Sequence, residues 1–419
     1  MHSEKRRVVI TGMGAITSVG NSVQETWKAL MAGQSGIVRI DALDGEPDYR
    51  CRIMGLVKDF DITHILSPKE QQRQDTYCLY AIAAAEEAML QSGLKSGENI
   101  APQRIGSMVS SGIGGMATTV LQSHRLFEKG PRMVSPLTMP MIISDMASGT
   151  LAMRHNLHGP NFAVASACAT GLHSIGEASW VIRRGDADAM LAGGAENCNV
   201  PLGLAGFSAM HALSTDNDDP QGACRPFDAT RNGFVAGCGS AVLVLEELEH
   251  AKARGATILA EVSGYGATAD AYHITAPRED GSDAAAAIAT ALAHAELPAD
   301  SIGYVNAHGT GTQMNDVVET RALKAAFGGH ARKLSISSTK SMTGHMLGAA
   351  GALESIVCVK ALCEGAAPGT RNLNHPDPEC DLDYMPNAAR ELPGLKHALK
   401  INMGFGGHNA AVIYSRYEG

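Results

Sequence analysis

Three side chains suited to covalent and acid–base chemistry stand out in the sequence, each beside a run of small residues. They are Cys168 in NFAVASACATG (161–171), His308 in NAHGTGT (306–312) and His345 in STKSMTGH (338–345). A thiolate is a strong nucleophile, and an imidazole can donate a hydrogen bond or move a proton. One nucleophile with two imidazoles therefore predicts covalent catalysis.

The residues around Cys168 predict a buried strand, a tight turn and then a helix. Phe162 to Ala165 is a short apolar run, and Leu172 to Arg184 carries apolar side chains at helical spacing. Free N–H groups at the start of a helix favour a thiolate and can hold an oxyanion. The alternative is a buried core cysteine, the usual fate of a free thiol.

His308 directly follows a predicted strand, at the position where α/β proteins bind ligands. The alternative is a structural histidine whose ring nitrogens are hydrogen-bonded within the fold. Phe405 lies among glycines in GFGG (404–407), which suits a mobile gate or a close backbone donor, with an ordinary turn as the alternative.

Two charged residues lie in unusual surroundings. Lys340 lies among Ser, Thr and Met residues, and Glu354 lies in the otherwise apolar helical stretch GALESIVCVKAL. If buried, each needs a partner of opposite charge. The alternatives are a solvated loop lysine and an exposed helix face.

The elements that position these residues predict an α/β chain of two similar halves, 1–255 and 256–419. In the first half a strand, a small-residue turn and a helix surround Cys168. In the second half the same plan leads through His345 into a helix from about Gly344. A long helix is also predicted over Lys69 to Ser92, because its alanine-rich face repeats at helical spacing.

Composition limits the functions that remain. The 419 residues carry a net charge of −9, which argues against a nucleic-acid partner along the whole surface. The nine cysteines include no C-x-x-C pair and no zinc-like spacing, which favours free thiols in a reducing compartment. The basic N-terminus runs straight into a strand-like VVIT, and no apolar run has the length of a membrane span. We therefore expect a cytoplasmic protein without a membrane anchor.

These stretches together resemble the β-ketoacyl-[acyl carrier protein] synthases of the elongating type I/II class, most closely type II. Thiolases pair one histidine with a second cysteine, and the initiating synthases pair one histidine with an asparagine. His345 therefore indicates the Cys-His-His elongating group. The resemblance covers essentially the whole chain through VVITGMG, SGIGG, VASACATG, ALSTDNDDPQGACRPFDATRNGFVAG, DAYHITAP, NAHGTGT, STKSMTGHMLGAAGALE and GFGGHN.

The resemblance implies a thiolase-like fold, with two halves forming five layers α-β-α-β-α, and usually a homodimer. It implies a decarboxylative Claisen condensation that lengthens an acyl chain by two carbons. The partner is an acyl carrier protein loaded through phosphopantetheine, and no metal or redox cofactor is implied, because decarboxylation supplies the driving force. The carrier is acidic, so a local basic patch is expected, with Lys69, Arg73 and Arg132 as candidates.

The resemblance also implies a role for each site residue. Cys168 holds the acyl chain as a thioester, while His308 and His345 donate hydrogen bonds to the malonyl thioester carbonyl as CO₂ leaves. Lys340, paired with Glu354, holds charge and orients the imidazoles. The N–H groups of Cys168 and Phe405 hold the oxyanion. The substrate-binding positions are Thr310 and Thr312 for the pantetheine arm, Ile113 and Phe207 for the acyl pocket, and Met403, Gly404 and Phe405 for the gating loop.

Three positions depart from the family pattern. Met403 stands where the gating loop usually carries Phe, Cys238 replaces an acidic residue, and Thr138 stands at a pocket-end position that is often bulkier. These departures bear on gating and acyl length rather than on the reaction.

Two alternatives remain at this point. A polyketide-type ketosynthase shares every catalytic residue. A non-condensing partner subunit is the other alternative, but such subunits lose the nucleophile, and Cys168 is present.

Overall fold

The computed structural model of the chain describes residues 6–43, 45–46 and 48–419. Residues 1–5, which begin the N-terminal stretch considered for a secretion signal, lie outside the described residues. The strands are β1 (Val8–Ile16), β2 (Ile37–Arg39), β3 (Ile53–Gly55), β4 (Ile105–Ser110), β5 (Ala189–Glu196), β6 (Gly239–Glu247), β7 (Ala260–Ala269), β8 (Tyr304–Asn306), β9 (Ser335–Ser337), β10 (Ala366–Ala367), β11 (Arg390–Glu391), β12 (His397–Gly404) and β13 (His408–Ser415).

The α-helices alternate with these strands. They are α1 (Val23–Met31), α2 (Pro68–Gln71), α3 (Thr76–Ser92), α4 (Met116–Lys129), α5 (Thr138–Ile142), α6 (Met146–His155), α7 (Thr170–Arg183), α8 (Pro201–Ala209), α9 (Pro220–Ala223), α10 (Leu248–Ala253), α11 (Ser282–Ala295), α12 (Gln313–Phe327), α13 (Lys340–Thr343) and α14 (Ala350–Glu364). None of the helices in the described ranges is long and apolar enough to cross a membrane.

Nine strands are hydrogen-bonded in the order β4-β5-β6-β1-β7-β13-β12-β8-β9. The link between β1 and β7 pairs only Val9 with Glu261 and Ile10 with Ala260. The strands therefore fall into two groups, β4-β5-β6-β1 and β7-β13-β12-β8-β9, which meet along this short link.

The two groups of strands are layers of a five-layered α-β-α-β-α arrangement. Helices α7 and α14 pack between them, in one apolar core with strand residues from both groups. Helix α3 covers the outer face of the first group, and α11 and α12 cover the outer face of the second. Every side chain of α14 from Ala350 to Val359 is buried, as expected for a helix enclosed on all sides. The predicted fold class is confirmed.

The strand order is similar in both groups. Asn161 forms a parallel bridge to Ser107, so the segment before Cys168 lies parallel to the edge strand β4. In the second group, β9 lies parallel to β8 in the corresponding place. In each group the next strands are antiparallel pairs, β5 with β6 and β12 with β13. The boundary at residue 255 remains a prediction, and this correspondence supports it.

Three predicted elements differ from the structure. The strand before Cys168 is reduced to the bridge at Asn161, and the N–H of Val164 donates to Ser110 Oγ (3.1 Å) rather than to a strand. The helix predicted over 69–92 is two helices, because Asp75 caps a new start by accepting from the N–H of Tyr77 (3.4 Å).

The helix predicted from about Gly344 also begins later. Gly344 has φ 71° and ends α13, and Leu347 has φ 48°, so the chain turns twice before α14 begins at Ala350.

Candidate active site

A cavity of about 770 Å³ brings the three predicted reactive residues together. Cys168 reaches it from the start of α7, while His308 and His345 come from the loops after β8 and α13. All three are buried in the protein wall. The other predicted residues that line the cavity are Ile113, Phe207, Thr310, Thr312, Met403, Gly404 and Phe405.

Cys168 occupies a 3₁₀ turn, Ala167–Ala169, that leads directly into α7. Ala167 has φ 49°, a strained backbone conformation at the turn that places Cys168 next to the N-terminus of α7. The backbone N–H of Phe405 lies near the thiol sulfur and acts to lower the pKa of the Cys168 thiol. The Phe405 N–H therefore lies beside the nucleophile, and its part in an oxyanion hole remains a prediction.

Burial raises the pKa of the Cys168 thiol to about 12, although the nearby positive charge of Lys340 acts to lower it. Burial thus opposes the thiolate that the helix N-terminus was expected to favour, and that expectation remains a prediction. The loss of hydration on burial outweighs the attraction of the Lys340 charge.

The hydrogen bonds of the two imidazoles define their tautomers. Asn402 Nδ2 lies 3.0 Å from His308 Nδ1, and the N–H of Leu347 lies 3.3 Å from His345 Nδ1. Since an amide nitrogen only donates, both Nδ1 atoms accept and both Nε2 atoms carry the proton. His345 Nε2 is buried without a hydrogen-bond partner among the described residues, so its N–H is available to a substrate.

Both imidazoles are held in the neutral form. Burial lowers the pKa of His308 and of His345 well below the ordinary value, and the charge of Lys340 lowers both further. A neutral imidazole donates a hydrogen bond from Nε2 without the cost of burying a charge. The pair can therefore stabilise a developing negative charge on a carbonyl oxygen.

The ion pair expected between Lys340 and Glu354 is present. Lys340 Nζ contacts Glu354 Oε1, and both side chains are buried behind the cavity wall. Glu354 Oε2 lies 2.8 Å from a second ammonium, that of Lys400, without hydrogen-bond alignment. The carboxylate of Glu354 is therefore paired with two ammonium groups, one at each oxygen.

Several residues that hold the site were not predicted from the sequence. Glu319 accepts the N–H groups of His308 (2.5 Å) and Gly309 (2.7 Å). Asn402 orients the His308 ring. Lys400 is buried in the largely apolar strand segment ALKIN (398–402). A charged residue within an apolar strand was the sequence signal that could have identified it.

Glu196 was also missed, although an acidic residue ends the apolar strand AMLAGGAE. It accepts from Ser111 Oγ (2.6 Å) and from the N–H groups of Gly112 (2.9 Å) and Gly348 (3.1 Å). Burial raises its pKa to about 7. Glu196 thereby ties the turn after β4 to the turn before α14, next to Cys168.

The departures from the family pattern lie at different depths. Met403 is 7% exposed and forms part of the cavity wall. Cys238 is buried away from the cavity, with its thiol 3.6 Å from the carbonyl of Gly55. Thr138 begins α5 and, among the described residues, is not part of the cavity wall of the single chain.

The basic residues proposed for docking lie at the surface. Lys69 is on α2, Arg73 follows that helix, and Arg132 is in the turn after α4. Within the described ranges, no group of three or more His, Cys, Asp or Glu side chains is arranged to hold a metal ion.

Comparisons with known proteins find relatives along nearly the whole chain. The model of the Beta-ketoacyl synthase N-terminal domain matches residues 5–251, and that of the C-terminal domain matches residues 259–374. The 3-oxoacyl-[acyl-carrier-protein] synthase 2 of Vibrio cholerae is 49% identical over 413 residues, 98% of this chain and 99% of the relative. The corresponding protein of Synechocystis is 48% identical over 415 residues, 99% of both chains.

Solved structures give the same result. A beta-ketoacyl synthase from Burkholderia phymatum has a TM-score of 0.92 and 36% identity, over 99% of this chain and 100% of that chain. A type II PKS ketosynthase, solved with its acyl-carrier protein and bound to a hexaketide, has a TM-score of 0.90 and 33% identity over the same shares. The family models match residues in both halves of the chain, and the relatives are about half identical to it over nearly its full length. The chain therefore belongs to the beta-ketoacyl synthase family.

Proposed function

We propose that this protein is an elongating 3-oxoacyl-[acyl carrier protein] synthase of type II fatty acid synthesis, an acyltransferase. The observation that carries the proposal is the cavity in which Cys168 lies with two neutral imidazoles, His308 and His345. The relatives named 3-oxoacyl-[acyl-carrier-protein] synthase 2 match along the full chain.

The first half-reaction loads the enzyme. Cys168 Sγ attacks the thioester carbonyl of an acyl carrier, the thiol proton passes to the leaving carrier thiol, and acyl-Cys168 forms. The N–H groups of Cys168 and Phe405 hold the oxyanion of this step, a role supported by the contact between the Phe405 N–H and the sulfur. The acyl chain occupies the part of the cavity next to Ile113 and Phe207.

The second half-reaction forms the carbon–carbon bond. The Nε2–H groups of His308 and His345 donate to the malonyl thioester carbonyl, CO₂ leaves, and the electron pair of the broken bond forms an enolate. The enolate carbon attacks the acyl-Cys168 carbonyl, the carbon–sulfur bond to Cys168 breaks, and the released thiolate takes a proton from solvent. Thr310 and Thr312 line the side of the cavity that we assign to the pantetheine arm.

The proposed partners are an acyl carrier protein and a second copy of the chain. A solved relative forms a complex with its acyl-carrier protein. Phe127 of α4, Met139 of α5 and Met153 of α6 are large apolar side chains that are mostly exposed in the single chain. An exposed apolar face of this kind supports a homodimer formed through these helices. We place the enzyme in the cytoplasm, which its nine free thiols support.

A polyketide-type ketosynthase is the second candidate, because the solved relative with a bound hexaketide is a type II PKS enzyme. Mass spectrometry of the protein incubated with acyl carrier proteins of varied chain length tests both candidates. Saturated acyl chains on Cys168, followed by a single two-carbon extension with malonyl carrier, are expected. Repeated extension to a polyketide would favour the second candidate, and no acylation of Cys168 would overturn both.

A further inference from the structure

Lys400 is a buried ammonium on β12 that the reaction scheme above does not use. Its side chain is fully buried. Its Nζ lies 3.2 Å from the carbonyl oxygen of Asn306, 3.3 Å from Asn306 Oδ1 and 2.9 Å from the carbonyl oxygen of Ala307. The three ammonium protons thus have three acceptors, two of which are main-chain groups next to His308.

The same face of β12 also holds the His308 ring. Asn402 is two residues beyond Lys400, so both side chains point to one side of the strand. Asn402 Nδ2 donates to His308 Nδ1 over 3.0 Å. Lys400 therefore fixes the backbone before His308 while Asn402 fixes its ring.

Lys400 also changes the charge behind the cavity. Glu354 is in contact with Lys340 on one oxygen and lies 2.8 Å from Lys400 on the other. Glu319, which accepts the N–H of His308, also faces Lys400, so the two ammonium groups lie among two carboxyl groups behind the cavity. Lys400 is among the charges that lower the pKa of His308 and His345, after burial and Lys340.

We propose that Lys400 is a positioning residue for malonyl decarboxylation: it holds the Ala307 carbonyl that precedes His308, and its charge favours the enolate anion. The inference rests on the proposed function. Acyl transfer to Cys168 depends on the N–H groups of Cys168 and Phe405. Lys400 Nζ donates instead to Asn306 and Ala307, which precede His308. Lys400 therefore acts on decarboxylation more than on acyl transfer.

The substitution Lys400→Met tests this role, because it keeps an unbranched apolar stem and removes the charge. We expect CO₂ release from malonyl carrier to fall on the order of 10–100-fold, the rate change that corresponds to the loss of one hydrogen bond from a charged group. The rate of Cys168 acylation should change much less. Lys360→Met is the matched control, since Lys360 lies on α14 and pairs with Glu364 near the surface.

The pH profile separates positioning from a merely structural role. Burial lowers the pKa of Lys400 to about 8. Decarboxylation by the wild-type protein should therefore decline as the pH rises through about 8, and this decline should be absent in Lys400→Met. The titratable groups that face Lys400 are Glu354 and Cys358 on α14, Lys340 on α13, Glu319 on α12, and His308 and His345 in the cavity wall.

A second variant, Lys400→Arg, keeps a positive charge that does not titrate in this range, so its decline should move to higher pH. Three outcomes would overturn the inference. The first is a wild-type decarboxylation rate that does not decline near pH 8, and the second is a decline near pH 8 that is unchanged in either variant. The third is decarboxylation at the full wild-type rate by Lys400→Met. Failure of the wild-type protein to be acylated and to release CO₂ would instead contradict the proposed function.

Discussion

The rings of His308 and His345 meet edge to face, with centroids 5.3 Å apart and planes at 84°. They come from the loops after β8 and α13 and line one cavity with Cys168. A charge on either ring would be placed against the other ring and against Lys340, so both stay neutral. Neutral donors in a buried site suit an enolate oxygen.

The protonation of this pair can be measured directly. Because the pKa of both rings is lowered, each stays neutral at pH values where an ordinary histidine, with a pKa of about 6.5, takes up a proton. ¹⁵N NMR of labelled protein should show Nε2–H tautomers of His308 and His345 that persist below pH 6.5. Free histidine in the same sample gives the reference titration. Protonation of either ring together with the reference would contradict this arrangement.

Replacing Cys168 should separate the two half-reactions. The side chain of Cys168→Gln can take the place of the acyl thioester carbonyl, so condensation must vanish while malonyl decarboxylation persists or rises. Adding His308→Ala removes one donor to the enolate and should lower CO₂ release by about 10²–10³. Product analysis and CO₂ release measure the two outcomes. Condensation by Cys168→Gln would show that Cys168 is not the nucleophile.

The ion-pair cluster behind the cavity predicts a large stability difference. Glu354→Gln leaves Lys340 and Lys400 buried without their carboxylate, and such a loss costs about 3–5 kcal/mol in the free energy of unfolding. Glu364→Gln on the same helix is the control, because this carboxylate is 43% exposed and pairs near the surface with Lys360. Its expected cost is about 0–1 kcal/mol. Equal effects in urea denaturation would argue against a buried charged cluster.

Met403 should affect loading more than decarboxylation. It lies in the cavity wall two residues before Phe405, and its flexible thioether packs less definitely than a ring. Met403→Phe is therefore expected to change the rate of Cys168 acylation, measured by quenched mass spectrometry, more than the rate of CO₂ release. If neither rate changes, Met403 has no part in gating.

Carrier docking should depend on the exposed basic residues. Reversing Lys69 and Arg132 to Glu should raise the KM for carrier-bound substrate and leave small thioester analogues unaffected, because only the carrier is acidic. Added salt should weaken carrier binding in the same way. Lys333→Glu, an exposed reversal in the turn after α12, is the control. An equal loss with both substrates would indicate a folding defect.

The local sequence determines much of this protein. Small residues surround Cys168 and His308, and apolar residues at helical spacing follow each turn. This pattern predicts reactive groups at the ends of strands and helices. The resemblance of the motifs then supplied the fold class and the family, both confirmed, together with the reaction proposed above. Element boundaries depended on more than local spacing. The helix predicted over 69–92 is divided because the Asp75 carboxylate accepts the N–H of Tyr77 and so caps a new helix. The side-chain hydrogen bond replaces one that a continuous helix would have made.

Tertiary structure decided the electrostatics of the site. Burial raises the pKa of Cys168 against the attraction of the Lys340 charge, and the local sequence does not show how completely a thiol is desolvated. Asn402 sets the tautomer of a histidine 94 residues away, and Lys400 shares Glu354 with Lys340. Such effects depend on distances of a few ångströms between segments far apart in the chain, and only packing of the five layers sets those distances.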